Sequence, residues 1–195
     1  MIVAVRLASR RWTRLEYDRL VEQGLFRPDE HVELLNGLLV VREPQGSRHA
    51  AVVAAVRDAL AAAFGPGYHV RDQAPLALDD VSEPEPDLVV VPGRPWNYLR
   101  EHPSLPLLVV EVSDSTLGHD RRYKAGLYAR AGVADYWIVN LVDLVLEVHR
   151  EPVPSAGARH GFIYRSVQML VHGESVTPLA APAARLLVAD LLPPA

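Results

Sequence analysis

Cysteine is absent from the 195-residue chain, which excludes disulfides and thiolate zinc ligands and leaves oxygen or imidazole to hold any metal. Hard cations are favoured on that ground. Long apolar runs are missing too: the longest, such as Leu105 to Val110, are strand-sized, well short of the roughly eighteen residues of a membrane span. No membrane association is expected. The stretch from Met1 to Ala8 is apolar but short, carries Arg6 and lacks the core of a secretory signal, so a cytoplasmic location is expected. Positive charge is not in excess either. The formal net charge of −4 argues against a protein that coats nucleic acid by neutralising phosphates, although two local clusters stand out, Arg10, Arg11 and Arg14, and Arg121, Arg122 and Lys124. Each is either a basic lip around a site or a solvated helix face. No His-Glu-x-x-His, Gly-x-Ser-x-Gly or glycine-rich phosphate-loop pattern occurs, which sets aside zinc hydrolases, serine hydrolases and P-loop NTPases. His69, His102, His119, His149, His160 and His172 then read as surface histidines.

The chain is 49% apolar and 23% charged, the balance of a soluble globular protein. Its length suits one domain over 1–195, with a core at about 30–150 and C-terminal strands and a tail over 151–195. Thr13 and Glu16 form a capping-box pattern ahead of a short helix ending near Gln23. Asn36-Gly37, between His31–Leu35 and Leu38–Arg42, predicts a type I′ hairpin. Ser47 is expected to cap an alanine-rich helix that runs to Phe64 and stops at Gly65-Pro66-Gly67. Strands are expected at Tyr68 to Leu78, Leu88 to Val91 and Leu107 to Val112; the last two are continuous apolar runs, as in strands buried on both faces. A helix over Leu117 to Arg130 then leads to a strand at Tyr136 to Val139, giving a crossover unit. Leu144 to His149 and Phe162 to Met169 extend the sheet, and the tail from Pro178 reads as an edge strand and exit segment. The expected class is α/β or α+β, with a mixed central sheet flanked by helices and preceded by a helix and a β-hairpin.

Within this scaffold Glu111 interrupts the most apolar strand, where an isolated carboxylate costs about 3 kcal/mol or more unless it is paired or metal-bound. Alternation puts it on one face with Leu107, Val109 and Ser113, near the strand's end. Asp87 follows Pro86 at the mouth of the preceding strand. Two acids on successive buried strands suit one hard divalent cation, since Mg²⁺ takes one or two carboxylates plus waters and phosphate oxygens. Arginine pairing of Glu111, for example with Arg121, is the purely structural alternative. Lys124 shares a helical face with Leu127 and Tyr128, which turns it toward the strand end, where an ammonium could orient or deprotonate a water or offset phosphoryl charge.

Pro86-Asp87, Glu111-Val112-Ser113, Tyr123-Lys124 through Tyr128 and Gly132, Tyr136-Trp137-Ile138-Val139 and Glu33-Leu34-Leu35-Asn36-Gly37 together resemble the Uma-two family of restriction-endonuclease-like nucleases. The resemblance spans roughly Thr13 to His149. It implies a restriction-endonuclease-like core of the PD-(D/E)xK type that hydrolyses phosphodiesters with Mg²⁺, or Mn²⁺ as a substitute, on nucleic acid, DNA foremost. Asp87 and Glu111 would be metal ligands and Lys124 the catalytic lysine. Glu33 would match an upstream acidic residue that either binds metal through water or caps the hairpin, and His49 a histidine that follows the hairpin. The usual signature carries its lysine two residues after the second acid, where this chain has Ser113, an accessory candidate; Lys124 on the next helix is the displaced alternative. Asn140 stands where an aspartate often follows the Trp-Ile-Val strand. Cutting both strands of a duplex would favour a homodimer. The competing function is a catalytically silent module that binds nucleic acid or protein on the same fold, and a hydrolase using Glu111 and Asp87 as acid and base is more distant.

Overall fold

The computed structural model describes residues 9–42 and 44–194. The Met1 to Ala8 segment lies outside the described residues. Thr13 caps α1 (Arg14–Glu22) through the full capping box with Glu16. The expected hairpin forms as β1 (His31–Leu35) and β2 (Leu38–Arg42), and Asn36 and Gly37 take φ values of 50° and 78°, as a type I′ turn demands. The long helix α2 (Ser47–Phe64) starts differently from expectation. Its N-cap is Gly46, with no side-chain cap bond, and Ser47 is already the first helical residue.

A six-stranded mixed sheet forms the centre, in the order β3 (Tyr68–Asp72), β4 (Leu88–Pro92), β5 (Leu108–Ser113), β6 (Asp135–Asn140), β7 (Val145–Pro154), β8 (Phe162–Leu170). Only β5 and β6 run parallel. Their crossover is α3 (Leu117–His119), a π turn (Asp120–Lys124) and α4 (Ala125–Arg130). The expected strand Tyr68 to Leu78 ends at Asp72: Gln73 takes a positive φ of 46°, and the amides of Leu76 and Leu78 turn away to Pro84 and Ser82.

Because β4, β5 and β6 alternate, the sheet divides the core in two. Leu88, Val90, Leu108, Val110, Val112 and Trp137 pack under α2, and Val89, Val91, Val109 and Ile138 under α4. The tail corrects its expectation. Rather than edging the central sheet, it forms β10 (Leu186–Leu187), pairs with β9 (Ser175–Val176) in a separate two-stranded sheet, and drives Val188, Leu191 and Leu192 into the α2 side of the core. Burial of these apolar side chains is what fixes the segment. His149 and His160 are buried, not at the surface. Among the described residues no helix is long and apolar enough to cross a membrane.

Candidate active site

Four charged side chains from four elements are almost fully buried at one end of the sheet: Glu33 of β1 and Glu111 of β5, each 2% exposed, Asp87 just before β4 at 2%, and Lys124 at 4%. Alternation along β5 puts Glu111 on the α4 face with Val109, and the helix returns Lys124 over it. The Lys124 Nζ donates to Glu111 Oε1 at 3.0 Å and to Glu33 Oε1 at 3.2 Å. Tyr128, one helical turn on, donates its hydroxyl to the same Glu111 Oε1 at 2.7 Å. The Glu85 amide adds a 2.8 Å bond to Glu33 Oε1. Asp87 is held from the opposite side: the Val112 amide donates to Oδ2 at 2.8 Å, while Arg42 Nη2 and Gln45 Nε2 donate to Oδ1 at 2.9 and 3.0 Å. His49 Nε2 lies 3.2 Å from that Oδ1 but lacks the alignment of a hydrogen bond. The four charged side chains line one cleft of about 410 Å³ together with Arg42, Gln45 and His49.

The two carboxylates are driven apart electrostatically. Burial pushes Glu111 up to about 8, with the negative charge of Asp87 adding and the Lys124 ammonium opposing. For Asp87 burial also acts upward, but the His49 imidazole, the Arg42 guanidinium and the Val112 amide outweigh it and hold the group at about 2. Lys124 is shifted up: burial works against its charge, and Glu111 and Glu33 outweigh burial. It is therefore an ammonium without a metal beside it.

The donor set fits a hard divalent cation. Every hydrogen bond to the Glu111 carboxylate lands on Oε1, which leaves Oε2 without one among the described residues. No cluster of three or more His, Asp or Glu side chains is preassembled as a metal cage among the described residues. A cation here would take most of its ligands from water and phosphate, which is how Mg²⁺ is usually bound.

Residues 15–189 match the Uma-two family, whose description reads “Putative restriction endonuclease”. The chain belongs to the Uma-two family. Among solved structures its fold is similar to that of “a putative nuclease belonging to DUF820” from Anabaena variabilis, with a TM-score of 0.66 over 92% of this chain and 96% of that one, at 13% identity. No curated protein matches the chain. The family description points to a nuclease, and so to a nucleic-acid substrate.

Against the usual nuclease signature, this Uma-two protein has Ser113 in the lysine's place on β5, and the structure shows what it does there. Its hydroxyl donates to Asp120 Oδ2 at 2.7 Å, and Thr116 adds a second bond of 2.7 Å to the same oxygen, which anchors the π turn that carries Lys124. Arg121 does not pair with Glu111; it is taken by Glu147 at 2.6 Å and Asp143 at 3.3 Å. Lys124 is likewise no part of a basic lip with Arg121 and Arg122, since it points inward. Asn140 accepts from the amides of Val142 and Asp143 and donates to Glu147 and Asp143, so it serves the β6–β7 turn. Arg42, Gln45, Tyr128 and Asp120 joined the site without having been singled out. For Tyr128 a signal existed, its four-residue spacing from Lys124; for Arg42, at the far end of a hairpin strand, nothing local marked it.

Proposed function

We propose that the chain is a Mg²⁺-dependent endonuclease acting on DNA, with Asp87 and Glu111 as the metal-holding carboxylates and Lys124 as the catalytic lysine. Mn²⁺ should substitute. The observation that carries this reading is the convergence of Lys124 with Glu111 and Glu33 beside Asp87, from separate elements, in one cleft. A bound divalent cation supplies a more acidic water and screens phosphate charge. The chain's own groups do the rest. Tyr128 and Lys124 fix the Glu111 carboxylate by two bonds to Oε1 and so turn its other oxygen to the cleft. The upward shift of Lys124 makes it a hydrogen-bond donor to the developing phosphoryl oxygens, not the base that removes a proton from water. Glu33 acts by positioning Lys124, and Arg42, Gln45 and His49 hold Asp87. Cleavage of both strands of a duplex calls for two such sites, so a homodimer is expected on that substrate.

One observation favours a catalytically silent binding module: Asp87 Oδ1 already accepts from Arg42 and Gln45, a charge-satisfied state that needs no metal. Calorimetric titration with Mn²⁺ and cleavage of plasmid and single-stranded substrates separates the two. Metal binding and cleavage that both vanish in Asp87→Ala support the nuclease. A wild-type chain that binds nucleic acid but neither binds metal nor cuts supports the silent module.

A further inference from the structure

We infer that the nucleic-acid strand leaving the cleft runs along a basic groove on the outer side of the α3–α4 helix, with Arg122 and Arg159 as its phosphate contacts. This rests on the nuclease reading above and adds the path of the substrate. Ser115 and His119 line both the catalytic cleft and a neighbouring recess of about 610 Å³; Arg122 and Arg159 line both that recess and a further one of about 520 Å³. The three are thus continuous. Neither outer recess is lined by any Asp or Glu, in a chain whose net charge is −4. Local charge, not the total, sets where a phosphate backbone settles.

The two arginines are also uncommitted in a way that Arg121 is not. Among the described residues neither pairs with a carboxylate: Arg122 Nε donates to the Gly118 carbonyl at 3.1 Å along its own helix, and Arg159 lies over the Tyr123 ring, 5.4 Å from its centroid. Both are exposed, so either fork can turn to a phosphate without breaking an ion pair. At the start of the groove His119 stacks on Tyr123, ring centroids 5.0 Å apart and planes 14° from parallel, and its exposed outer side offers a platform for a base or sugar. On the other side of Tyr123, edge-on to its ring at 4.6 Å, His160 is buried, with both ring nitrogens lacking a partner among the described residues while the side chain lines the further recess. A buried polar group left unanswered is costly, and a phosphate oxygen or its water would answer it.

The test is fluorescence anisotropy with a labelled single strand and a labelled duplex, without divalent metal, across a salt series. The variants are Arg122→Ala with Arg159→Ala, Arg159→Glu alone, and a control, Arg19→Ala with Arg27→Ala, which removes the same charge from exposed sites near α1. The groove double variant should bind about tenfold or more weakly and lose roughly 1.4 (single strand) to 1.8 (duplex) from the slope of log affinity against log salt, the amount two phosphate contacts contribute. Arg159→Glu should weaken binding on its own, and the control should keep the wild-type slope. A double variant with the wild-type slope, in a protein whose wild type still cleaves with Mg²⁺, overturns the groove and leaves the nuclease reading standing. A wild type that neither binds nor cleaves either probe overturns both.

Discussion

Replacing Lys124 with alanine removes one ammonium shared by two buried carboxylates, Glu111 Oε1 at 3.0 Å and Glu33 Oε1 at 3.2 Å. Deleting one partner of a buried pair costs about 3–5 kcal/mol, because the charge left behind has neither water nor partner. Arg42 stays 3.9 Å from Glu33 and covers part of the loss, which points to the lower end, about 3 kcal/mol. For a chain of this size each kcal/mol moves Tm by about 2–4 °C, so the metal-free variant should melt about 6–12 °C early. The loss should depend on pH in a definite direction. Glu111 is an acid raised from 4.5 to about 8, so its contribution to stability is full below the lower value and is lost as pH rises through the upper one. Lys124 opposes that rise, so without it Glu111 stays protonated to still higher pH. The deficit of the variant should therefore be small at about pH 6, grow by about 1.4 kcal/mol per pH unit above about pH 8, and be full at about pH 10. Excess Mg²⁺ should return cationic charge to the cleft and raise the Tm of the variant more than that of the wild type, while cleavage stays down on the order of a hundredfold. Thermal melts at both pH values, with and without Mg²⁺, and single-turnover cleavage measure all of this. A variant that melts within about 2 °C of the wild type at the higher pH without metal would refute the shared-ammonium reasoning.

Apparent Mn²⁺ affinity should rise about fiftyfold from pH 6 to pH 8 and then level off, because binding must displace the proton of a Glu111 with a pKa of about 8; calorimetry in buffers of different ionisation enthalpy would count that proton. Asp87, lowered from 3.8 to about 2, contributes stability that is present above the higher value and lost as pH falls toward the lower one; Asp87→Asn should remove about 2 kcal/mol of that acid dependence and abolish metal binding, read by acid unfolding and titration. Asn140→Asp should destabilise the fold by about 1–3 kcal/mol, since its amide nitrogen is 2.8 Å from both Glu147 Oε1 and Asp143 Oδ2, where a carboxylate would meet two others; a denaturant midpoint equal to the wild type's would count against this.

Much of the scaffold could be read from residue order because its signals are local. Asn36-Gly37 specifies its turn through backbone conformations that few other pairs adopt, and the apolar runs of β4 and β5 describe strands covered on both faces. Asp87, Glu111 and Lys124 were visible as charged residues placed where charge is expensive. One further clue went unused: Lys124 is the only lysine in a chain that otherwise carries nineteen arginines, and a compact three-donor ammonium serves two converging carboxylates in a way the planar guanidinium does not. What escaped depended on distant packing. Arg42 reaches Asp87 across 45 positions, the π turn leaves the 3.6-residue pattern almost undisturbed, and the tail's apolar residues find their partners under α2. Ser47 failed as a cap because helix starts shift by one residue with little energetic consequence when glycine precedes.

The β1–β2 hairpin belongs to no other sheet, and it docks on the body through the Leu34–Glu83 bridge, the Gly37 amide to Val81, the Asn36 amide to Ser82, the Tyr123 hydroxyl and Arg130 on the turn, and Leu35 buried in the α4-side core. Yet it supplies Glu33 and Arg42. The constellation therefore draws on a hairpin outside the central sheet, and a sub-global opening that frees the hairpin is expected to dismantle the site while the sheet stays folded. Amide exchange at Leu34 and Glu85 should then report sub-global opening faster than exchange along β5, and mild denaturant should inactivate the protein before its central sheet melts. The hairpin's docking equilibrium, more than the stability of the whole, would set what fraction of molecules is competent at any moment.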